Sequence, residues 1–317
     1  MLTWLPIGPR PSVSGDRQEP VSDQVIKAAR RPLWGGRRVS LTWVGAVPFL
    51  GYVGLFLLLP TVIVLVGAFT GEGGGLTLSN FSAINQHYIV NAFATSVSLS
   101  AVSAVLGAIL GAAFAYAVAT GNPRGALRRI VSSACGVLAQ FGGVTLAFAF
   151  IATIGLGGFI TLWLQDHGLD PYAKGVWLYE LPGLVLVYMY FQIPLMVLVF
   201  LPALDGIRPQ WREATESLGG STWHYWRYVA GPLLLPAFLG STLLLFANAF
   251  SAYATAAALV SQGDVIVPIA IADLVSSETG LADPGLAKAL ALGMIVIVAV
   301  VMFLYAVLQQ RTARWLR

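Results

Sequence analysis

Long apolar runs separated by short polar stretches dominate this chain from residue 41 onward. Six stand out, at about 41–69, 89–119, 130–164, 181–204, 233–260 and 286–309. About 20 apolar residues carry a helix across the hydrocarbon core, so each run predicts one transmembrane helix. Runs longer than that imply tilt or extension past the bilayer. A β-barrel does not fit, because barrel strands alternate instead of running solidly apolar. The expectation is an all-α polytopic membrane protein: a tail at 1–40, a six-helix domain at 41–310 and a short terminus at 311–317. A shorter apolar run at 265–274 predicts an interfacial or scoop-like helix outside the full spans.

Composition agrees with this pattern. The chain is 57% hydrophobic and only 10% charged, with a mean hydropathy of +0.78. Soluble domains carry about 25% charged residues. A pI near 9.3 would suit a nucleic-acid partner. That reading is rejected, because the basic side chains sit in short tracts beside apolar runs, as membrane orientation demands.

Sixteen of the eighteen Lys and Arg residues fall in the tail, the 120–129 loop, the 205–232 loop and the C-terminus. The opposite side holds only Lys174 and Lys288. Cytoplasmic loops concentrate Lys and Arg, which places both termini in the cytoplasm and makes the number of spans even. The acidic side chains of the opposite side read as solubility first and as a docking face second. The tail reads as mostly disordered, with 21–34 suited to a short basic helix on the membrane surface. Its opening, MLTWLPIG, lacks the basic start of a signal peptide, so the first span is expected to remain as an anchor. Cys135 is the single cysteine and reads as a packing residue.

The most informative polar interruption is 213–236, EATESLGGSTWHYWRYVAGPLLLP. Pro209 suits a first helical turn, and Glu213 and Glu216 favour the positive end of a helix. Gly219 and Gly220 stop that helix, and Ser221 caps the next one. The product is a short helix, a sharp turn and a second helix returning to the membrane. Such a knob is stiff enough to transmit displacement.

Glu213, Ala214, Gly219, Val229 and Pro232 stand where the EAA loop of ABC importer permeases has its pattern residues, and the loop resembles that motif. Thr215, Gly220 and Gly231 depart from it. The resemblance implies a type I importer transmembrane domain in a bacterial inner membrane. It further implies a pair of ATPase subunits gripping the 205–232 coupling loop through Glu213, Ala214, Thr215, Leu218, Gly219, Gly220, Ser221 and Pro232. A second permease subunit, homologous or identical, and an extracytoplasmic solute-binding protein would complete the assembly. ATP and Mg would bind the ATPase subunits, with no cofactor on this chain. Leu218 before the glycine is similar to the polyamine, thiamine, iron and sulfate permeases, and the stretch 246–255 followed by Val267–Pro268–Ile269 resembles permeases of the spermidine/putrescine type.

Polar side chains inside spans mark candidate pathway positions. They are Gln140, Thr145, Tyr188, Tyr190, Gln192, Asn248, Ser251, Tyr253 and Thr255. Asn248, Ser251 and Thr255 recur at helical spacing and are expected to share one face. With Gln192 and Tyr253 they form the expected solute pathway, against the alternative that each bonds between helices. Gln192 lies two residues before Pro194, a potential kink. Ser96, Ser98, Ser100 and Ser103, followed by Gly107 and Gly111, predict close helix packing instead. No carboxylate lies mid-span, so a polycation would need tyrosine faces, carbonyls or a partner's acid. Polycationic, anionic and neutral solutes all remain open.

His87, His167 and His224 fall in three separate loops without metal-ligand spacing. The glycine pairs lack the Lys and Ser/Thr of a phosphate-binding loop, so the chain is expected to be a transport subunit and not an enzyme. Two other classes are weighed: a secondary transporter, expected to show inverted repeats and intramembrane charge, and a non-transporting membrane scaffold.

Overall fold

The computed structural model describes residues 42–71, 75–82, 86–122, 125–173, 175–260, 266–276 and 283–315. The tail with its 21–34 segment lies outside the described residues, as do Arg124, Lys174 and Val265. The described part is nearly all helical. Six of its helical runs are long and apolar enough to cross a membrane: Val47–Ala68, His87–Ala119, Gly143–Asp166, Leu181–Asp205, Thr222–Phe250 and Pro284–Gln310.

The chain divides into two compact units, Met1–Leu59 and Pro60–Arg317. In the first, α1 (Thr42–Val53) is followed by a π-turn at Gly54–Leu58. Tyr52 and Phe56 lie against one another on this apolar segment.

The second unit holds the bundle. From Pro60 it holds the rest of α2 (Leu59–Ala68) and the one-turn α3 (Ser79–Ser82), followed by α4 (His87–Ala119). Asn80 donates to the carbonyls of Ala68 and Thr70 at 3.0 and 3.1 Å, closing the loop between them. Next come α5 (Ala126–Gln140), α6 (Gly143–Ile154), α7 (Phe159–Asp166) and α8 (Leu181–Asp205). The remaining helices are α9 (Pro209–Ser217), α10 (Thr222–Tyr225), α11 (Gly231–Phe250), α12 (Ala254–Leu259), α13 (Val267–Ser276) and α14 (Pro284–Trp315).

The centre of the unit is α4 against α8. Lipid offers no hydrophobic drive between spans, so close approach of small residues and interhelical hydrogen bonds hold them together. A Cβ on Gly107 would lie 2.9 Å from Gln192 Cβ. On Gly111 it would lie 2.5 Å from Met196 Cβ and 2.8 Å from the Ile193 carbonyl oxygen. Ser96, Ser100 and Ser103 are buried along the same helix, as the small-residue pattern predicts. Gln192 Nε2 donates to Ser103 Oγ at 2.9 Å, and the Val267 amide donates to Ser96 Oγ at 2.9 Å. That second bond pins α13, the predicted short helix, to α4.

Two predicted runs are corrected. The third, 130–164, is not one span. Its first part is α5, whose apolar residues fall on one side and whose other side carries Arg128 and Arg129. The chain then breaks at Phe141–Gly142 and restarts as α6, with Gly143 at φ +73°. That angle suits glycine and few other residues. The fifth run, 233–260, begins earlier and ends sooner. Helix runs from Thr222 to Phe250, breaks at Ser251–Tyr253 and resumes as the two-turn α12. Two smaller corrections concern histidines. His87 opens α4, and His224 lies within α10, so neither is in a loop. Lys288 sits inside α14, with its aliphatic chain laid over Gly67, as a snorkelling side chain does.

The loops sort by end. Arg128 on α5 pairs with Asp205 at the end of α8, and Tyr116 packs edge-on against Trp226 at 5.3 Å. The 120–129 and 205–232 loops therefore share one end of the bundle.

Candidate functional site

The elbow between α8 and α11 is built as the local sequence dictates. Arg208 is extended (ψ 131°) and Pro209 opens α9. At the other end of α9, Gly219 takes φ +76°. Its amide donates to the Glu216 carbonyl at 3.0 Å, and the Gly220 amide donates to the Thr215 carbonyl at 2.9 Å. These are the paired bonds of a Schellman ending, which satisfy carbonyls a helix end leaves open. Each glycine has a separate reason. At Gly219 the backbone angle strains most other residues, while no atom lies within 4 Å of where a Cβ would be. At Gly220 a Cβ would lie 2.7 Å from Thr215 Cγ2 and 2.9 Å from the Thr215 carbonyl oxygen.

Ser221 then starts the return helix. Its backbone N–H donates to His224 Nδ1 at 3.3 Å, and its Oγ lies 2.8 Å from the same nitrogen. Arg212 Nε donates to Glu216 Oε1 at 3.0 Å, one helical turn on. That hydrogen bond and the carboxylate charge raise the Arg212 guanidinium above its ordinary value. Glu213, Ala214 and Leu218 are exposed, with Leu218 at 89%. They present a ridge to whatever lies beyond this end of the bundle. Thr215 faces inward and donates to the Trp211 carbonyl at 2.8 Å.

Behind the ridge lies an apolar groove of about 610 Å³, lined by Trp211, Ala214, Leu218, Tyr228, Val229 and Pro232 among others. Between Tyr225 and Gly231 the return helix makes a π-turn, Trp226–Ala230. The Gly231 amide bonds the Trp226 carbonyl, and a Cβ on Gly231 would run into that oxygen. The departure from the motif at Gly231 therefore has a geometric reason. Pro232 follows two residues after the π-turn, inside the continuous helical run.

From this turn, helix continues to Phe250 and stops at the second break. There the expected pathway residues separate into two groups. Asn248, Ser251 and Tyr253 are exposed on the bundle surface, as are Gln140 and Thr145. Gln192 is fully buried against α4, and Thr255 is only 2% exposed. Because the helix breaks between them, Asn248, Ser251 and Thr255 do not share one helical face, contrary to the expectation from spacing. Ser251 Oγ instead donates back to the Ala247 carbonyl at 3.0 Å. Thr255 crosses to the other break. Its Oγ1 accepts the Gly143 N–H at 2.9 Å and lies 3.2 Å from the Gly143 carbonyl oxygen, to which it donates. Tyr188, fully buried, donates its hydroxyl to the Ala252 carbonyl at 2.9 Å.

Reasoning from sequence missed the apolar groove, the Arg212–Glu216 clasp and the Thr255 bond. The clasp had a local signal, an acid four residues after a base. The other two had none. Among the described residues, no group of His, Cys, Asp and Glu is placed to hold a metal ion.

Residues 144–314 match the family model described as "Binding-protein-dependent transport system inner membrane component". The ferric transport system permease protein FbpB of Actinobacillus pleuropneumoniae is 25% identical over 215 residues, covering 67% of this chain and 30% of that protein. The chain thus spans about a third of the length of the first curated relatives it matches. The spermidine/putrescine transport system permease protein PotB of Haemophilus influenzae is 20% identical over 257 residues, covering 79% of this chain and 87% of that protein. Among solved structures, a bacterial ABC transporter involved in the import of the acidic polysaccharide alginate superposes with a TM-score of 0.67 at 16% identity. The superposition covers 86% of this chain and 95% of that one, a likeness of fold.

Proposed function

The chain belongs to the binding-protein-dependent transport system inner membrane components, and from that membership we propose that it is a membrane-spanning permease subunit of an ABC importer. The observation that carries this reading is the elbow at 209–221: a short helix closed by a glycine Schellman turn, with Glu213, Ala214 and Leu218 turned outward. A rigid projection of this kind suits a cleft in a motor subunit.

In this reading two ATPase subunits hold two such elbows, one on this chain and one on a second permease subunit, homologous or identical. ATP and Mg reside in the ATPase subunits and none binds here. Nucleotide binding stabilises one of two arrangements of the bundle, and hydrolysis releases it; the change is driven by the difference in affinity for the two states. Both termini lie in the cytoplasm with the elbow, and a solute-binding protein delivers cargo at the opposite face.

The cargo is a small polar solute, polyamine-like or another small organic or inorganic ion. The relatives are named for ferric and spermidine/putrescine transport, and the structural neighbour imports an acidic polysaccharide, so cargo charge varies within the likeness. Asn248, Ser251 and Tyr253, exposed at the second break, are the side chains proposed to line the route. Gln192 and Thr255 are proposed to hold helices and not solute, because both are buried.

Reconstitution in proteoliposomes with candidate ATPase subunits and the binding protein tests the reading. Gly220→Val, whose side chain would collide with Thr215, is expected to abolish ATP-driven uptake and ATPase retention while the chain still inserts. Uptake that persists unchanged in this variant refutes the coupling role.

A further inference from the structure

Two helix breaks lie against one another beside the buried Thr255. One separates α5 from α6 at Phe141–Gly142; the other separates α11 from α12 at Ser251–Tyr253. Backbone groups freed at membrane depth must find partners within the protein. At the first break the Gly143 N–H and C=O both engage one hydroxyl, that of Thr255, 112 residues away. At the second, the Ala252 carbonyl takes the Tyr188 hydroxyl. The two sites are packed together: a Cβ on Gly143 would lie 3.7 Å from that of Ala254. Below the second break, helix is continuous back to the elbow, from Phe250 to Thr222 over 29 residues. At 1.5 Å per residue that is a rod of about 43 Å.

We propose that Thr255 is a positioning residue for transport: its hydroxyl clamps the two breaks so that α6 and α12 move as one body when the elbow-borne rod swings. The proposal rests on the permease reading for its functional consequence, but the clamp itself is a property of this chain. Thr255 cannot act by touching cargo in this arrangement, since both of its polar contacts go to Gly143. Without the hydroxyl, α12 would follow the rod while α6 lagged, and the motion delivered at the elbow would dissipate at the break.

The test uses the full chain in lipid nanodiscs with Cys135→Ala. Spin labels are placed on Phe148→Cys of α6 and Ala257→Cys of α12, both positions exposed. Thr255→Val removes the hydroxyl at constant shape, and Thr255→Ser restores it. The expected result is a broadened label distance distribution in Thr255→Val and a narrow one in Thr255→Ser. In the assembled importer, Thr255→Val is expected to lower solute moved per ATP hydrolysed by about fivefold, the change one hydrogen bond of ordinary strength corresponds to. Thr255→Ser is expected to recover it. An unchanged distribution in Thr255→Val overturns the clamp. A broadened distribution with unchanged solute per ATP overturns its role in transport. Absence of ATP-driven uptake by the unsubstituted assembly overturns the permease reading instead, and the distance distribution then decides the clamp alone.

Discussion

Substitution of Gly219 separates two reasons a coupling elbow can require glycine. Gly219 sits at φ +76°, and no atom lies within 4 Å of where a Cβ would be. A side chain added there meets no neighbour, so its cost is backbone strain. An L-residue in the left-handed region costs about 1–2 kcal/mol, offset by roughly 0.4–1 kcal/mol from a stiffer unfolded chain. Gly219→Ala should therefore lose about 1 kcal/mol of elbow stability, or about fivefold in its population. Asn is several-fold enriched in this conformation, so Gly219→Asn should be close to neutral despite its larger size. Gly219→Val, branched at Cβ, should cost about 2 kcal/mol or more. Hydrogen exchange at the Gly220 amide, whose acceptor is the Thr215 carbonyl at 2.9 Å, reads the turn directly. ATP-driven uptake in proteoliposomes reads its consequence. Both should rank Gly with Asn, then Ala, then Val. If Ala outperforms Asn in uptake, smallness for docking governs the position and the conformational reasoning is refuted.

Three further expectations follow from the packing. Gly111→Leu should lower the thermal stability of the detergent-solubilised chain by about 3 kcal/mol or more, because the added Cβ meets Met196 and the Ile193 carbonyl; Gly51→Ala, with nothing within 4 Å, should be neutral in the same melt. A double-mutant cycle of Gln192→Leu with Ser103→Ala should give a coupling of about 0.6 kcal/mol, and no more than about 1.7, as for other buried bonds between spans. Asp205→Asn should cost up to about 1 kcal/mol at low salt and less at high salt, since Asp205 is 44% exposed in its pair with Arg128, and the exchange Arg128→Asp with Asp205→Arg should recover part of it.

What the sequence disclosed depended on how local its cause was. The turn was legible: Pro209 at a helix start, Gly219 at its end and Ser221 as the next cap are decided by neighbours within a few residues, and each stands where expected; the expectation that Glu213 and Glu216 sit at the positive end of that helix is corrected, since its first turn holds no acid and Glu216 lies in its last turn. The serine and glycine file on α4 was legible for the same reason, a repeat along one helix. The breaks at 141–142 and 251–253 were not. Hydropathy stays high through both, and the groups that stabilise them are remote: Gly143 depends on Thr255, and Ala252 on Tyr188. The glycine pair at 142–143 was visible, but its meaning lay on another helix. The expected shared face of Asn248, Ser251 and Thr255 was lost by the same cause, since spacing along an unbroken helix is no guide once the helix stops.

This distribution follows from the solvent. In water, large apolar side chains go inside and hydroxyls outside. Here both kinds of side chain are buried between helices: Ile89, Leu146, Tyr188, Met196 and Phe250 lie inside, but so do the polar Ser96, Ser100, Ser103, Gln192, Ser241 and Thr255, while Phe148, Leu235 and Phe303 are exposed. Apolar burial distinguishes helix from lipid only weakly, so register between spans is left to hydrogen bonds and to the few places where a side chain is missing. Such contacts are few and directional, and therefore breakable one at a time. A bundle held this way can exchange one set of hydroxyl bonds for another at low cost while its apolar exterior stays unchanged, and that is the property a two-state permease requires. The same reasoning predicts where change is least tolerated. Conservative swaps among the exposed Leu, Phe and Val positions should leave uptake near its starting level. Loss of a single hydroxyl at Thr255 or Tyr188 should not, and a scan in which both classes proved equally silent would contradict it.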